Sequence, residues 1–247
     1  GLWDETDQFY YDHLNLPDGE NLPLKVHSIV GLIPLFAVQP LAPDVLKQLP
    51  ELTARMEWYL EHRPHLAALI SNWHIPGCGN RSLLSLLRGH RMKALLKRML
   101  DGTRFLSELG VRSVSKLHER APFRFDVNGA SYEVGYWPAE SRSGLFGGNS
   151  NWRGPVWMPI NYLLIESLQQ FHHYYGDDFK VECPTGSGKF ITINEVADEL
   201  SRRLSRLFLK GEDGQRPVLR YHPKPASDPH SKDYVLFHEY FHGDTGR

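Results

Sequence analysis

Cysteine is almost absent: Cys78 and Cys183 are the only two in 247 residues, too few for a disulfide framework, and both read as reduced thiols. Net charge is equally slight. The 28 basic and 29 acidic residues leave −1, and no like-charge block stands out, which argues against DNA or another polyanion as partner. No apolar run reaches the ~18 residues of a membrane span. The longest, around Ile29–Val38, is broken by Gly31 and Pro34. The opening Gly1-Leu2-Trp3-Asp4-Glu5 lacks the charged and apolar regions of a signal peptide, so a cytoplasmic location is expected. The first residue is Gly, and the chain stops at a turn-like Gly243–Arg247, so both ends read as cut from something longer.

What the chain has in quantity is aromatic rings, 12% of residues, together with 13 His. High aromatic content with near-zero net charge suits a neutral, hydroxyl-rich ligand better than an anion. A ring offers an apolar face to sugar C–H bonds while amides and carboxylates bond the hydroxyls. An aromatic-rich core accounts for the same composition.

Helical spacing dominates the pattern. Leu24–Val38, apolar on nearly all sides, reads as a helix buried between others. Pro43-Asp44 opens a short helix, and Pro50 the next, with Leu52, Met56, Tyr59 and Leu60 on one face and Pro64 as its stop. Leu83–Leu87 and Met92–Met99 read as further helices. Pro155–Tyr175 reads as a long helix closed by Gly176, and Thr192 or Asn194 starts the last. One stretch alternates instead: Phe123, Phe125 and Val127, then Asn128-Gly129, then Tyr132, Val134 and Tyr136, a hairpin signal. The expectation is a mainly α fold of paired helices with one small β-hairpin insertion. The long irregular stretches, Trp137–Pro155 and Gly211–His230, are the expected functional loops.

Four motifs carry candidate chemistry. His238-Glu239-Tyr240-Phe241-His242 fits H-E-x-x-H, which on a helix puts two imidazoles and a carboxylate around zinc, although Gly243 tends to end a helix there. Pro184–Lys189 resembles a phosphate loop but has Cys183 at its first Gly position and Phe190 in place of Ser or Thr, so it reads as an ordinary turn. Asp4, Glu5, Asp7 and Asp12 interleave with Trp3, Phe9, Tyr10 and Tyr11, without the spacing of a calcium loop, and fit either a sugar site or a solvated turn packed by its aromatics. The fourth, Trp152-Arg153-Gly154-Pro155-Val156-Trp157, is flanked by Asn149, Asn151 and Asn161. An Arg and three amides at one rim can bond vicinal hydroxyls while two indoles stack on the ring, so these six side chains are the candidate substrate-binding set.

The block Asn-Trp-Arg-Gly-Pro-x-Trp followed by Asn-Tyr, the opening GLWDETDQFYYDHL, Ser28–Val38, GDDFKVECPTGSGK and FHEYFHGDTG together resemble glycoside hydrolase family 63, the mannosyl-oligosaccharide glucosidases, in its prokaryotic branch. The resemblance covers nearly the whole chain. It implies an (α/α)6 toroid, of which residues 1–247 form a partial, C-terminal portion of one domain. It also implies hydrolysis of an α-glycosidic bond with inversion, on oligosaccharides or small glycosides, without metal or cofactor. Glu239 matches the family's general base. The general acid, an Asp in an earlier loop, falls before residue 1, so the missing N-terminal half of the domain is the implied partner and the chain alone is expected to be inactive. Two alternatives stay open: a zinc metalloprotease through His238 and His242, and a non-catalytic carbohydrate-binding helical protein. No nucleic-acid or membrane partner is expected.

Overall fold

The computed structural model describes residues 2–127, 129–220, 228–231, 233–235 and 237–247. Its strands pair two by two, always antiparallel. β1 (Trp3–Asp4) pairs with β2 (Phe9–Tyr10), and β3 (Asp12–Asn15) with β4 (Asn21–Leu24). β5 (Val38–Leu41) pairs with β6 (Ser82–Ser85), β7 (Leu106–Ser107) with β8 (Gly110–Val111), and β9 (Phe123–Val127) with β10 (Ala130–Val134). β11 (Val156–Trp157) waits for a distant partner, and β12 (Lys180–Glu182) pairs with β13 (Phe190–Thr192). The late β14 (Tyr240–Phe241) then returns to β11.

The helices are α1 (Pro43–Gln48), α2 (Pro50–His62), α3 (Pro64–Ala67), α4 (Gly89–Met99), α5 (Met158–Tyr175) and α6 (Ile193–Arg206). Each of the first three has Pro in its first turn, where the missing N–H costs no intrahelical bond. Thr192 caps α6 through a reciprocal capping box with Glu195. Gly176, at φ +64°, ends α5. α5 packs against α6 and against the 3-10 turn Ile29–Phe36, and α4 packs against that same turn and β12. Leu95, Met99, Phe105, Leu164, Leu168, Phe171, Val196 and Leu200 fill the space between them.

The hairpin expected at Phe123–Tyr136 is present, with Val127 opposite Ala130 and Gly129 at φ +76°; Asn128 lies outside the described residues. Two expected helices are not helices. Leu24–Val38 runs from the end of β4 through the 3-10 turn Ile29–Phe36 into β5. Pro34 has no N–H to give an α-helical ladder, and at Gly31 a Cβ would stand 2.2 Å from the Phe9 ring, so the chain hugs that ring instead of winding clear of it. Ile29, Leu32 and Leu35 are buried all the same, as the apolar pattern predicts. Leu83–Leu87 is extended: Leu83 and Leu87 are buried while Leu84 and Leu86 face solvent, a period of two that a row of leucines conceals. The long helix begins at Met158 rather than Pro155, because Val156 and Trp157 are taken by β11. Gly211–His230 lies partly outside the described residues.

A histidine pair, His118 buried and His27 half-buried, ties the N-terminal hairpins to the 110–121 segment. The His27 backbone N–H donates to Nε2 of His118 (2.9 Å), and the Tyr11 hydroxyl bonds the His27 ring (3.1 Å). Burial first, then the neighbouring His118 and Arg104, lowers the His27 pKa to about 4; burial lowers His118 as well. A group with a depressed folded pKa takes up protons in the unfolded chain first. The stability it contributes is therefore complete above about pH 6.5 and is lost as pH falls from there toward 4. Urea unfolding at pH 7.5 and pH 5.0 should show stability falling by about 1–2 kcal/mol, and His27→Gln should flatten that dependence.

Candidate active site

The site is built where β11 meets β14. Their register sets Val156 opposite Phe241 and Trp157 opposite Tyr240, and the Met158 N–H donates to the Glu239 carbonyl (2.9 Å), so the start of α5 is stitched to the end of the chain. The Glu239 side chain is exposed. Its Oε1 accepts from the Asn151 amide (2.7 Å) and from the Trp157 indole N–H (3.0 Å). Oε2 has no hydrogen-bond partner among the described residues.

Asn151 is held from behind. The Asn149 side chain accepts its backbone N–H (2.8 Å) and so caps the 3-10 turn Ser150–Trp152 that presents it. Trp152 meets Trp157 edge to face, with ring centroids 4.8 Å apart. Trp152 also walls a cavity of about 230 Å³ shared with Tyr10, Asp12, Ser28 and Val134. On the other side of β14, the Tyr240 hydroxyl donates to Glu140 (3.1 Å), whose second oxygen accepts from Ser150 (3.0 Å). Burial raises the Tyr240 phenol above its ordinary pKa, and the Glu140 and Glu239 charges add to the rise.

The six substrate-binding candidates thus separate. Trp152 and Trp157 are half-buried, with ring surface at the site, and Asn149 is exposed beside it. Asn151 is 3% exposed and spends its amide on Glu239. Arg153 and Asn161 do not face a ligand, contrary to the expectation from spacing. Asn161 is 1% exposed. Its oxygen accepts from the Val111 N–H (2.8 Å) and its amide donates to the carbonyls of Val111 and Trp157 (2.9 Å each), so it is a side-chain rung between β8 and the N-terminus of α5. Arg153 is 0% exposed. It lies 5.1 Å from the Trp137 ring and donates to the Ser141 and Ser143 hydroxyls (3.3 and 3.2 Å) and to the Leu145 carbonyl (2.5 Å).

Residue type and spacing do not tell a guanidinium that bonds sugar from one that bonds a loop. Here the loop it bonds, 141–145, leads into the turn that carries Asn149 and Asn151. Arg153→Ala should lower stability by about 2–4 kcal/mol through lost buried hydrogen bonds and the lost ring contact, measurable as a shift in the denaturant midpoint. Arg153→Lys should recover only a minor part, since an ammonium does not reproduce the planar fork.

The zinc geometry is absent. Glu239–His242 passes through β14, and an extended chain carries side chains four apart well away from each other, whereas a helix would bring them to one face. Nδ1 of His242 accepts the N–H groups of Asp244 (3.2 Å) and Thr245 (3.3 Å), closing the terminal turn. Among the described residues no three His, Cys, Asp or Glu gather around a common point.

The loop after Cys183 is likewise no phosphate cradle. Glu182 accepts the Gly188 N–H (2.7 Å), filling the position a phosphate would take; backbone bonds from Gly186 and Gly188 hold its carboxyl below the usual range. In the N-terminal cluster Asp4 accepts from the N–H groups of Thr6 and Asp7, and both Asp4 and Asp7 pair with Lys25 (2.8 and 2.9 Å). That cluster is a packed turn, and of its residues only Tyr10 and Asp12 border the Trp152 cavity. Cys78 and Cys183 are free, and among the described residues no helix is long and apolar enough to cross a membrane.

Sequence reasoning gave Tyr240 no place in the main site, and Glu140 only that of a low-ranked substitute, with Asp4 and Asp7, for the missing acid. The signal was weak: a Glu in an irregular stretch, and a Tyr one position beyond the base.

Residues 82–247 match the mannosylglycerate hydrolase MGH1-like glycoside hydrolase domain, a stretch that holds the whole Glu239 site. The chain is also 49% identical over 250 residues to the uncharacterized protein YMR196W of Saccharomyces cerevisiae. That match takes in 100% of this chain but only 23% of the relative's length. The relative is fungal, and membership of a prokaryotic branch remains an expectation of the resemblance alone. With two thirds of its length under one family's domain, the chain belongs to the mannosylglycerate hydrolase MGH1-like glycoside hydrolases.

Proposed function

We propose that this chain supplies the base side of an inverting α-glycosidase site in a partial (α/α)6 toroid, acting on glucosides or mannosides of oligosaccharides or of small aglycones such as glycerate. The observation that carries the reading is an exposed carboxylate, Glu239, with one oxygen occupied by two donors and the other open, beside two indole rings in a glycoside hydrolase domain.

In the reaction, Oε2 of Glu239 takes a proton from water. The water oxygen bonds to the anomeric carbon from the face opposite the leaving group, and the bond to the leaving oxygen breaks. That oxygen takes a proton from a second carboxyl group, which the family resemblance assigns to an Asp upstream of these residues. An inverting pair sits roughly 6.5–9.5 Å apart to admit the water. Trp152 and Trp157 offer ring surface for the sugar C–H faces, and Glu140 and Tyr240 offer hydroxyl partners at the rim. No step needs a metal or an organic cofactor.

The test is to assay aryl α-glucosides, aryl α-mannosides, mannosylglycerate and α-linked oligosaccharides with the complete reading frame and with the 247-residue chain, following the first-formed anomer by proton NMR. Release of the β-anomer from an α-glycoside is the expected result with the complete frame, and no useful rate with the chain alone. Release of the α-anomer would remove the inverting assignment, and turnover of none of these substrates would remove the glycosidase.

A further inference from the structure

We propose that Asn151 and Trp157 are a two-donor clamp that fixes Oε1 of Glu239 and leaves Oε2 as the atom that accepts the proton from water, so that both are positioning residues. This rests on the hydrolase reading for its chemical meaning, and on the geometry alone for the clamp.

Three observations converge. The two donors reach the same carboxylate oxygen, at 2.7 and 3.0 Å, from two different elements: a capped 3-10 turn and a β-strand. Each donor is itself immobilised. Asn151 is 3% exposed with its turn closed by Asn149, and Trp157 is paired in β11 and packed on Trp152. The carboxylate is fixed through its own backbone as well, by the Met158 N–H on the Glu239 carbonyl.

A glutamate on an exposed surface samples several rotamers, and ordering it costs side-chain entropy. Two donors on one oxygen remove that freedom before substrate arrives and fix which oxygen faces the water. The second amide atom of Asn151, Oδ1, is buried and accepts no hydrogen bond in this structure. A residue placed to bond a sugar would turn one amide atom toward the opening. Here both lie inside, the N–H group on the base and the oxygen in the protein, which separates positioning from substrate contact.

The clamp is testable without turnover. In proton–nitrogen correlation spectra of the 247-residue chain, the Trp157 indole cross-peak, one of six Trp, is assigned by its loss in Trp157→Phe. Glu239→Gln should shift that indole proton upfield and leave Trp3, Trp58 and Trp73 in place. Asn151→Ala should also move that cross-peak, because the carboxylate oxygen that accepts from the indole has lost its second donor. An indole resonance indifferent to Glu239→Gln, or unmoved in Asn151→Ala, overturns the clamp.

In the hydrolysing protein, Asn151→Ala should lower kcat about 10–100-fold with KM within about twofold, the mark of a displaced reacting group; Trp157→Phe should lower kcat similarly, with a KM rise of its own from the smaller ring. Asn151→Asp, which keeps the shape and adds a like charge, should be at least as low. A raised KM with unchanged kcat would make Asn151 a substrate contact and overturn the proposal. Failure of the hydrolase reading looks different: hydrolysis untouched by Glu239→Gln while the indole cross-peak still responds to that substitution.

Discussion

Glu239→Gln should lower the rate of glycoside hydrolysis by roughly 10²–10⁴-fold, the range that a positioned general base contributes, while KM and thermal stability stay nearly unchanged. The substitution isolates the chemistry. A glutamine keeps an oxygen where Oε1 stands, so the Asn151 amide and the Trp157 indole keep an acceptor at 2.7 and 3.0 Å. What is lost is the carboxylate oxygen on the other side, replaced by an amide group that cannot take a proton. Because Glu239 is exposed, the change buries no unpaired group and leaves no cavity. The measurement is kcat and KM for parent and variant on one activated glycoside, with unfolding midpoints as control. Substrates with good leaving groups relieve the demand on the general acid but not on the base, so the deficit should persist across leaving groups. A deficit of less than about tenfold would remove Glu239 from the reaction.

Much of this site was legible before any coordinates, and the parts that were not share a physical cause. Trp152 and Trp157 stood out by residue type and Glu239 through the family resemblance, and the structure brings all three to one place. Asn161 and Arg153 stood out on the same grounds and are internal. A polar side chain with several donors satisfies distant backbone as readily as a ligand, and burial alone decides between them. The zinc pattern was refuted by a single local fact, strand in place of helix, which a five-residue motif does not encode.

In the fold, strong local chemistry read correctly: Thr192 as one of two helix starts, Gly176, Pro43 and Pro50, and the alternation around Gly129. Runs of uniform apolar character did not. In Leu83–Leu87 every residue is apolar or small, and Leu24–Val38 departs from that only at Lys25 and His27, so neither run selects a period. Pairing with Val38–Leu41 in one case, and the Phe9 ring against Gly31 in the other, settled the conformation.

The largest stability effect should come from Gly154→Ala, within the block that first marked the site. Gly154 adopts φ +137°, a region nearly closed to residues with a Cβ, and its Cβ position lies 2.5 and 2.6 Å from two carbons of the Tyr136 ring. Tyr136 has little room to yield. Its hydroxyl accepts from Arg112 (3.1 Å), a residue 6% exposed that also bonds the Leu106 carbonyl (2.7 Å) and Asp244 (2.9 Å). Behind the ring stands the second motif: a Cβ on Gly243 would meet the Gly154 carbonyl oxygen at 2.5 Å and the Tyr136 hydroxyl at 2.6 Å. The two glycines, 89 residues apart in sequence, let two backbones and one tyrosine meet without side chains between them, and that contact holds β14 against β11. Backbone strain and overpacking together predict a loss of about 3–5 kcal/mol, or roughly 6–20 °C in Tm for a chain of this length. The test compares Gly154→Ala and Gly243→Ala with Gly144→Ala, where nothing lies within 4 Å of the new methyl group and the change should stay within about 0.5 kcal/mol. Where Gly154→Ala still folds, the β11–β14 ladder is the first element to loosen, and the Trp157 indole should lose its dependence on Glu239 while α5 and α6 keep their helical signal. Equal, small effects at all three positions would mean that the Gly154–Gly243 contact does not exist in solution.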